Sequence, residues 1–166
     1  MSRNSKIDAE LNELYELVPD IPGCDGRCAQ VCCVPPIEAS DREAQRTPLG
    51  TGSVCAQLLG NRCVAYVNRP MLCRLWGTSE ELPCPFGCKP TGRLTAEQEF
   101  ALFVYSLAIG GGSNLGWPQS FDPERVMDAY RSDLNGVRTR FLTARAAARA
   151  TVTSRAVGTS WQRNRT

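Results

Sequence analysis

The sequence predicts a single small domain, mostly α-helical, with a cysteine-rich, loop-dominated segment set into it. Three observations carry this expectation. Apolar residues recur at helical spacing in three separate stretches. All nine cysteines lie between Cys24 and Cys88, where proline and glycine are frequent and periodicity is poor. With 166 residues, 42% of them hydrophobic and 22% charged, the chain has the size and composition of one ordinary globular domain. The expected organisation is a helix and linker over 1–23, the cysteine-rich segment over 24–90, a helical segment over 91–150 and a basic, flexible tail over 151–166.

The first helix is expected over 6–18. Ile7, Leu11, Leu14, Tyr15 and Val18 form one apolar stripe, Ser5 is placed to cap it, and Pro19 with Pro22-Gly23 ends it. Within the cysteine-rich segment, only short helices or strands are expected, around Val54–Leu59 and Cys63–Val67. A second helix is expected over 95–109. Thr95 and Gln98 have capping-box spacing, Phe100, Phe103, Val104 and Leu107 follow at helical intervals, and Gly110-Gly111-Gly112 stops the run. Asp122-Pro123-Glu124 then opens a third helix, with Asp as cap and Pro in the first turn. Its stripe of Val126, Tyr130, Leu134, Val137 and Phe141 stays in phase through Asn135-Gly136, which predicts one helix to about residue 150.

The chain contains no histidine. That excludes a Ser-His-Asp triad, a Cys-His pair, an HExxH zinc site and a Cys2His2 finger, each of which needs an imidazole. A soft-metal site must therefore be built mainly from thiolates. No apolar run reaches the roughly 18–20 residues of a membrane span. The N-terminal stretch alternates charged and apolar residues without the apolar core of a secretory signal. The expected compartment is the cytoplasm, where cysteines are more often metal ligands or redox-active thiols than structural disulfides.

The cysteines open with Cys24, Cys28 and the adjacent pair Cys32-Cys33, spaced so that one turning backbone can aim several sulfurs at a common centre. Side chains of the adjacent pair point apart, so the two can serve different centres, or one can bind while the other packs. Cys55, Cys63, Cys73, Cys84 and Cys88 follow. Two sets of four would use eight cysteines. Four thiolates suit either tetrahedral zinc or a cubane iron–sulfur cluster of the 4Fe-4S type. Arg27, Arg62, Arg69, Arg74 and Lys89 flank the cysteines and can offset the excess negative charge of such a site.

This run of cysteines, together with the element Arg69-Pro70-Met71-Leu72-Cys73-Arg74, resembles the YkgJ-type cysteine-cluster proteins, described as carrying a zinc- or iron-chelating CxxCxxCC domain. Arg-Pro-x-x-Cys-Arg is the specific part of the match, which covers residues 24–88. Two departures stand out. The gap between Cys28 and the Cys32-Cys33 pair is three residues where the family commonly has two, and Cys88 is extra. The resemblance implies metal or iron–sulfur binding by Cys24, Cys28, Cys32, Cys33, Cys55, Cys63, Cys73 and Cys84, and implies no particular reaction. Pro70 fixes the approach to Cys73 and holds Arg69 extended. Arg69 and Arg74 then flank a ligand cysteine and are expected to help bind the cofactor, by hydrogen bonds to sulfurs or carboxylates.

Charge is uneven. From Arg125 onward there are nine arginines, no lysine and two acids, although the whole chain carries only +2. Arg131, Arg138, Arg145 and Arg149 would share a helix face, an arrangement suited to phosphates of nucleic acid or to an acidic protein. The function expected from these features is a metal-binding interaction or regulatory module. Closed four-sulfur sites leave no open coordination position for catalysis. The alternative is a redox or iron–sulfur-dependent enzyme, which the adjacent pair and the ninth cysteine permit. No general base is evident beside the cysteines: Asp25, Glu80 and Glu81 are equally explained as surface charge.

Overall fold

Helix α1 spans Arg3–Glu16. It starts a turn earlier than its apolar stripe suggests, because Ser2 rather than Ser5 is the cap: the Ser2 hydroxyl accepts the Ser5 N–H at 3.2 Å. The computed structural model describes residues 2–24, 37–50, 52, 54–60, 62–79, 82–84, 87–113 and 115–132. Helices dominate these residues: α2 (Asp41–Arg46), α3 (Met71–Leu75), α4 (Ala96–Gly110) and α5 (Pro123–Ser132) follow α1. Among the described residues the only paired strands are β1 (Leu58–Leu59) and β2 (Arg62–Cys63), an antiparallel pair in which Leu58 faces Cys63 and Leu59 faces Arg62.

Helix α4 is the hub, packing against α1, α2, α3 and α5. Its sequence explains this. Phe100, Leu102, Phe103, Val104 and Leu107 are all buried, so apolar surface wraps around the helix. One core cluster joins Leu11 and Tyr15 of α1 to Met71 and Leu75 of α3 and to Leu102, Phe103 and Leu107 of α4. Another joins Phe100 and Val104 to Met127 and Tyr130 of α5, with the Phe100 and Tyr130 rings stacked at 4.5 Å. The capping box expected at Thr95 and Gln98 is present, and Asp122 Oδ1 accepts the Glu124 and Arg125 N–H groups at the start of α5. The glycine run divides its work: Gly110 is the last helical residue and Gly111 caps in the left-handed conformation, at φ +87°.

Helix α2 has a complete capping box of its own, between Ser40 and Glu43. The pattern Ser-x-x-Glu is legible in the sequence, but it lies in a stretch without periodicity. Arg42 clamps α2 onto α1: its Nε and Nη2 donate to the two Asp8 carboxylate oxygens at 2.9 and 2.5 Å, and Arg46 lies 3.4 Å from the same carboxylate. The Arg42 hydrogen bond holds the Asp8 carboxyl below its ordinary 3.8, against the opposing effect of burial. A depressed carboxyl contributes stability that is complete above its unfolded pKa and lost as pH falls through the folded one. Asp8→Asn should therefore cost about 1 kcal/mol near neutrality. The gap from wild type should close below about pH 4, the unfolded value. Urea melts at a series of pH values would read this, and a gap that stayed constant into acid would refute the assignment.

The described part of α5 ends at Ser132. The expected continuation to residue 150, the tail, and Arg138, Arg145 and Arg149 lie outside the described residues. Arg131 lies within them, and is neutralised by Glu97 at 2.8 Å and Asp128 at 3.1 Å.

Candidate metal centre

Six of the nine cysteines lie among the described residues, and each is a thiol rather than half of a disulfide. Three of them, Cys55, Cys63 and Cys73, line one small pocket, together with Leu49, Arg69 and Pro70. Each of the three is buried. The pocket has room for about one water-sized atom.

Local structure explains the convergence. Cys55 ends the approach to the hairpin, where its C=O accepts the Leu58 N–H at 3.0 Å. The chain reverses at Gly60, whose φ of +58° suits glycine. Cys63 then returns on β2 opposite Leu58, and the period of two puts both side chains on the inner face. Ala56 N–H to Leu49 C=O at 2.9 Å and Gln57 Nε2 to Pro48 C=O at 2.6 Å tie the hairpin to the 47–49 segment.

Cys73 comes from the third element, α3. Pro70 is the N-cap of this helix, with φ −56° and ψ 159°, and its C=O accepts the Cys73 N–H at 3.0 Å. The opening N–H of α3, on Met71, donates to Glu43 Oε1 at 2.7 Å. Glu43 also accepts from the Tyr15 hydroxyl at 2.7 Å, the Ser40 N–H at 2.9 Å and the Ser40 hydroxyl at 2.8 Å. One buried carboxylate thus fixes α1, α2 and the helix that carries Cys73. Burial, and then the Glu43 charge, push the Tyr15 phenol far above its ordinary value.

The backbone N–H of Gln57 donates to the Cys55 sulfur at 3.4 Å. An N–H aimed at sulfur favours the thiolate, the form that binds metal, and is the outer-sphere contact a thiolate ligand needs. Arg69, which lines the pocket, donates from Nε to Tyr66 C=O at 3.0 Å and holds its guanidinium 3.8 Å over the Tyr66 ring. Arg74 turns the other way. Its Nε donates to Arg69 C=O at 2.8 Å, its Nη2 donates to Val67 C=O, and its guanidinium lies 4.1 Å over the Tyr15 ring. Burial lowers its pKa from the ordinary arginine value. Arg74 organises the 67–69 backbone.

The remaining described cysteines stand apart from this pocket's lining. Cys24 is held by Tyr66, whose hydroxyl donates to Cys24 C=O at 2.7 Å. Burial, then hydrogen bonding to Cys24, push the Tyr66 phenol up to about 12. Cys84 packs beside Gly77, where an added Cβ would come within 3.3 Å of the Cys84 Cβ. Cys88 is half-buried. Cys28, Cys32 and Cys33 lie outside the described residues, but Ile37, the first described residue after them, packs in the same apolar cluster as Cys55, Cys63 and Cys73. Among the described residues, no three Cys, Asp or Glu side chains form a group that could hold a metal ion by themselves.

Three further contributors, Tyr66, Glu43 and the Gln57 N–H, enter the site only through the fold. Only Glu43 has a sequence signal, the capping-box spacing from Ser40. Comparison of the chain with protein-family models, with curated proteins and with solved structures found no match.

Proposed function

We propose that this protein binds metal through cysteine thiolates, as an iron–sulfur cluster or a zinc site, and acts as an interaction or regulatory module. The observation that carries the reading is the meeting of Cys55, Cys63 and Cys73 at one buried pocket, with a backbone N–H on the Cys55 sulfur. Their chemistry suits a soft metal: three thiols lie in an apolar shell beside an arginine, and since they do not form a metal-holding group by themselves, the other cysteines would have to complete a four-sulfur site. The sequence supplies the candidates for the rest of the ligand set in Cys24, Cys28, Cys32, Cys33 and Cys84. In this reading the cysteine-rich segment is held by its metal as much as by its own small apolar cluster. Arg69 offsets thiolate charge, and Arg74 positions the Arg69 backbone. The interaction side of the proposal rests on the seven arginines after Leu134, a stretch with no acid, as a surface for nucleic-acid phosphates or an acidic protein.

Anaerobic purification followed by a visible spectrum and elemental analysis tests the metal. A brown protein with stoichiometric iron and sulfide indicates a cluster, and a colourless one with stoichiometric zinc indicates a zinc site. Cys63→Ser and Cys73→Ser are each expected to lower metal affinity by more than the roughly 10–100-fold lost with an outer-sphere partner. Both should also lower the melting temperature, because metal binding and folding are coupled. Full metal content in both variants, or no metal in the wild type, would overturn the reading. For the arginines, binding to mixed DNA or RNA should be measurable at low salt and fall steeply as salt rises. No binding at low salt would remove nucleic acid as the partner.

A further inference from the structure

Cys88 is the one cysteine that the metal reading leaves unused. Its nearest cysteine in sequence is Cys84, in Cys84-Pro85-Phe86-Gly87-Cys88. The Gly87 N–H donates to the Cys84 C=O at 3.1 Å, the bond that closes a β-turn from Cys84 to Gly87. Gly87 has φ +78°, a conformation that glycine adopts without strain. A reversal of this kind brings Cα atoms three residues apart to less than about 7 Å. The Cα separations a disulfide spans are about 4.4–6.8 Å. A turn closed by this bond and followed by a left-handed glycine is the pattern of a three-residue hairpin loop, which sets the residues flanking it, here Cys84 and Cys88, across from one another.

The loop that holds both thiols is anchored at each end. The Gly77 N–H donates to Leu82 C=O at 2.6 Å, and Leu82 is buried. Beyond Cys88, the Thr91 N–H donates to Asp20 C=O at 2.8 Å and the Leu94 N–H to Thr78 C=O at 2.9 Å. Cys84 is seated against the bare backbone of Gly77, where an added Cβ would come within 2.8 Å of Ile21 Cδ1. Both thiols are half-buried, and Cys88 stands between exposed Gly87 and Lys89. Cys84 is thus seated on the body of the fold, and Cys88 follows it with exposed residues on either side.

We propose that Cys84 and Cys88 form a reversible dithiol–disulfide couple, whose oxidation withdraws Cys84 from metal binding. The oxidant is a small disulfide such as glutathione disulfide. The Cys88 thiolate attacks one of its sulfurs, the S–S bond breaks, and one glutathione leaves as thiolate. The Cys84 thiolate then attacks the Cys88 sulfur of the mixed disulfide. The protein S–S bond forms and the second glutathione leaves. The two cysteine protons end on the two glutathione thiols, so the protein loses two hydrogens and the oxidant gains them. Intracellular disulfides of this kind are transient and serve redox sensing. The withdrawal of Cys84 rests on the metal reading, whereas the couple itself does not.

The full chain would be equilibrated in glutathione buffers from reducing to oxidising, alkylated and digested with trypsin. Trypsin passes the Lys89–Pro90 bond, so residues Leu75–Arg93 form one peptide containing only Cys84 and Cys88. The expected product is this peptide unalkylated and lighter by two hydrogens, rising with the oxidised fraction and abolished by dithiothreitol. Cys84→Ser should instead stop at the glutathione adduct on Cys88. Two alkylated thiols throughout, a stable glutathione adduct in the wild type, or a cross-link to another cysteine peptide would overturn the couple. Metal analysis of the same samples separates the two ideas. Oxidation in a chain that never holds metal removes the metal reading and the withdrawal step but keeps the couple. A chain that holds metal without forming the disulfide removes the couple alone.

Discussion

Glu43→Ala is expected to destabilise the protein by about 3–5 kcal/mol, the range for breaking a buried charged network by removing one partner. Glu43 is 2% exposed and accepts four hydrogen bonds, from Tyr15, Met71, the Ser40 N–H and the Ser40 hydroxyl. Alanine would leave two backbone N–H groups and a phenol buried without their acceptor. Water cannot replace it cheaply, because Ser40 is fully buried and Met71 opens a helix packed in the core. Glu43→Gln separates shape from charge. Its carbonyl oxygen can still accept from Tyr15 or Met71, but its NH2 cannot accept from Ser40, so a loss of about 1–3 kcal/mol is expected. Urea denaturation of the three proteins would measure this order, and a loss below about 1 kcal/mol for alanine would disprove the role given to Glu43. With the metal site proposed above, Glu43→Ala should also lower metal content alongside stability, because Met71 precedes Cys73 by two residues.

Gly110→Ala is expected to cost about 3 kcal/mol, at the upper end for overpacking a tight contact. In a chain of this size that is a fall in melting temperature on the order of 10 °C. An added Cβ at Gly110 would lie 2.1 Å from Ser40 Oγ and 2.3 Å from Ser40 Cβ. Ser40 has nowhere to move. Its hydroxyl is committed to Glu43, its backbone bridges to Ser113, and the next residue, Asp41, donates its N–H to Gly112 C=O at 3.2 Å. Gly111→Ala is the contrast. Its Cβ would meet nothing within 4 Å, so only the positive φ opposes it, at about 1–2 kcal/mol. If the two alanine variants melt together, close approach of α2 to α4 is not what the glycine at 110 serves.

These two sites mark where sequence reading stops. The signals that were legible are local ones. Thr95 and Gln98, Asp122-Pro123 and the Gly111 cap act within a few residues of themselves, so spacing alone reports them. The stripe of α1 was legible for the same reason, though its start was displaced because Ser2 satisfies an N–H that the stripe does not reveal. Helix α2 carried its Ser40–Glu43 box in plain view but lacked the periodicity that would have given it weight. Helix α3, five residues long, has too few turns to show a period and is stabilised from outside by Glu43.

The candidate site divides in the same way. The sequence by itself determined which donors are available: with nine cysteines between residues 24 and 88 and no histidine, any soft-metal site would have to be thiolate-rich and lie in that span. Tertiary structure alone decided which thiols meet. Cys55, Cys63 and Cys73 come from a hairpin approach, a strand and a separate helix, and the bonds that bring them together run through Leu49, Glu43 and Pro70. Contacts of that kind depend on residues distant in the chain, such as Tyr15 and Glu43, 28 positions apart. The same distance hid the second reason for Gly110. Its place at a helix end is written in three consecutive glycines, but its need to remain glycine comes from Ser40, which only folding places against it.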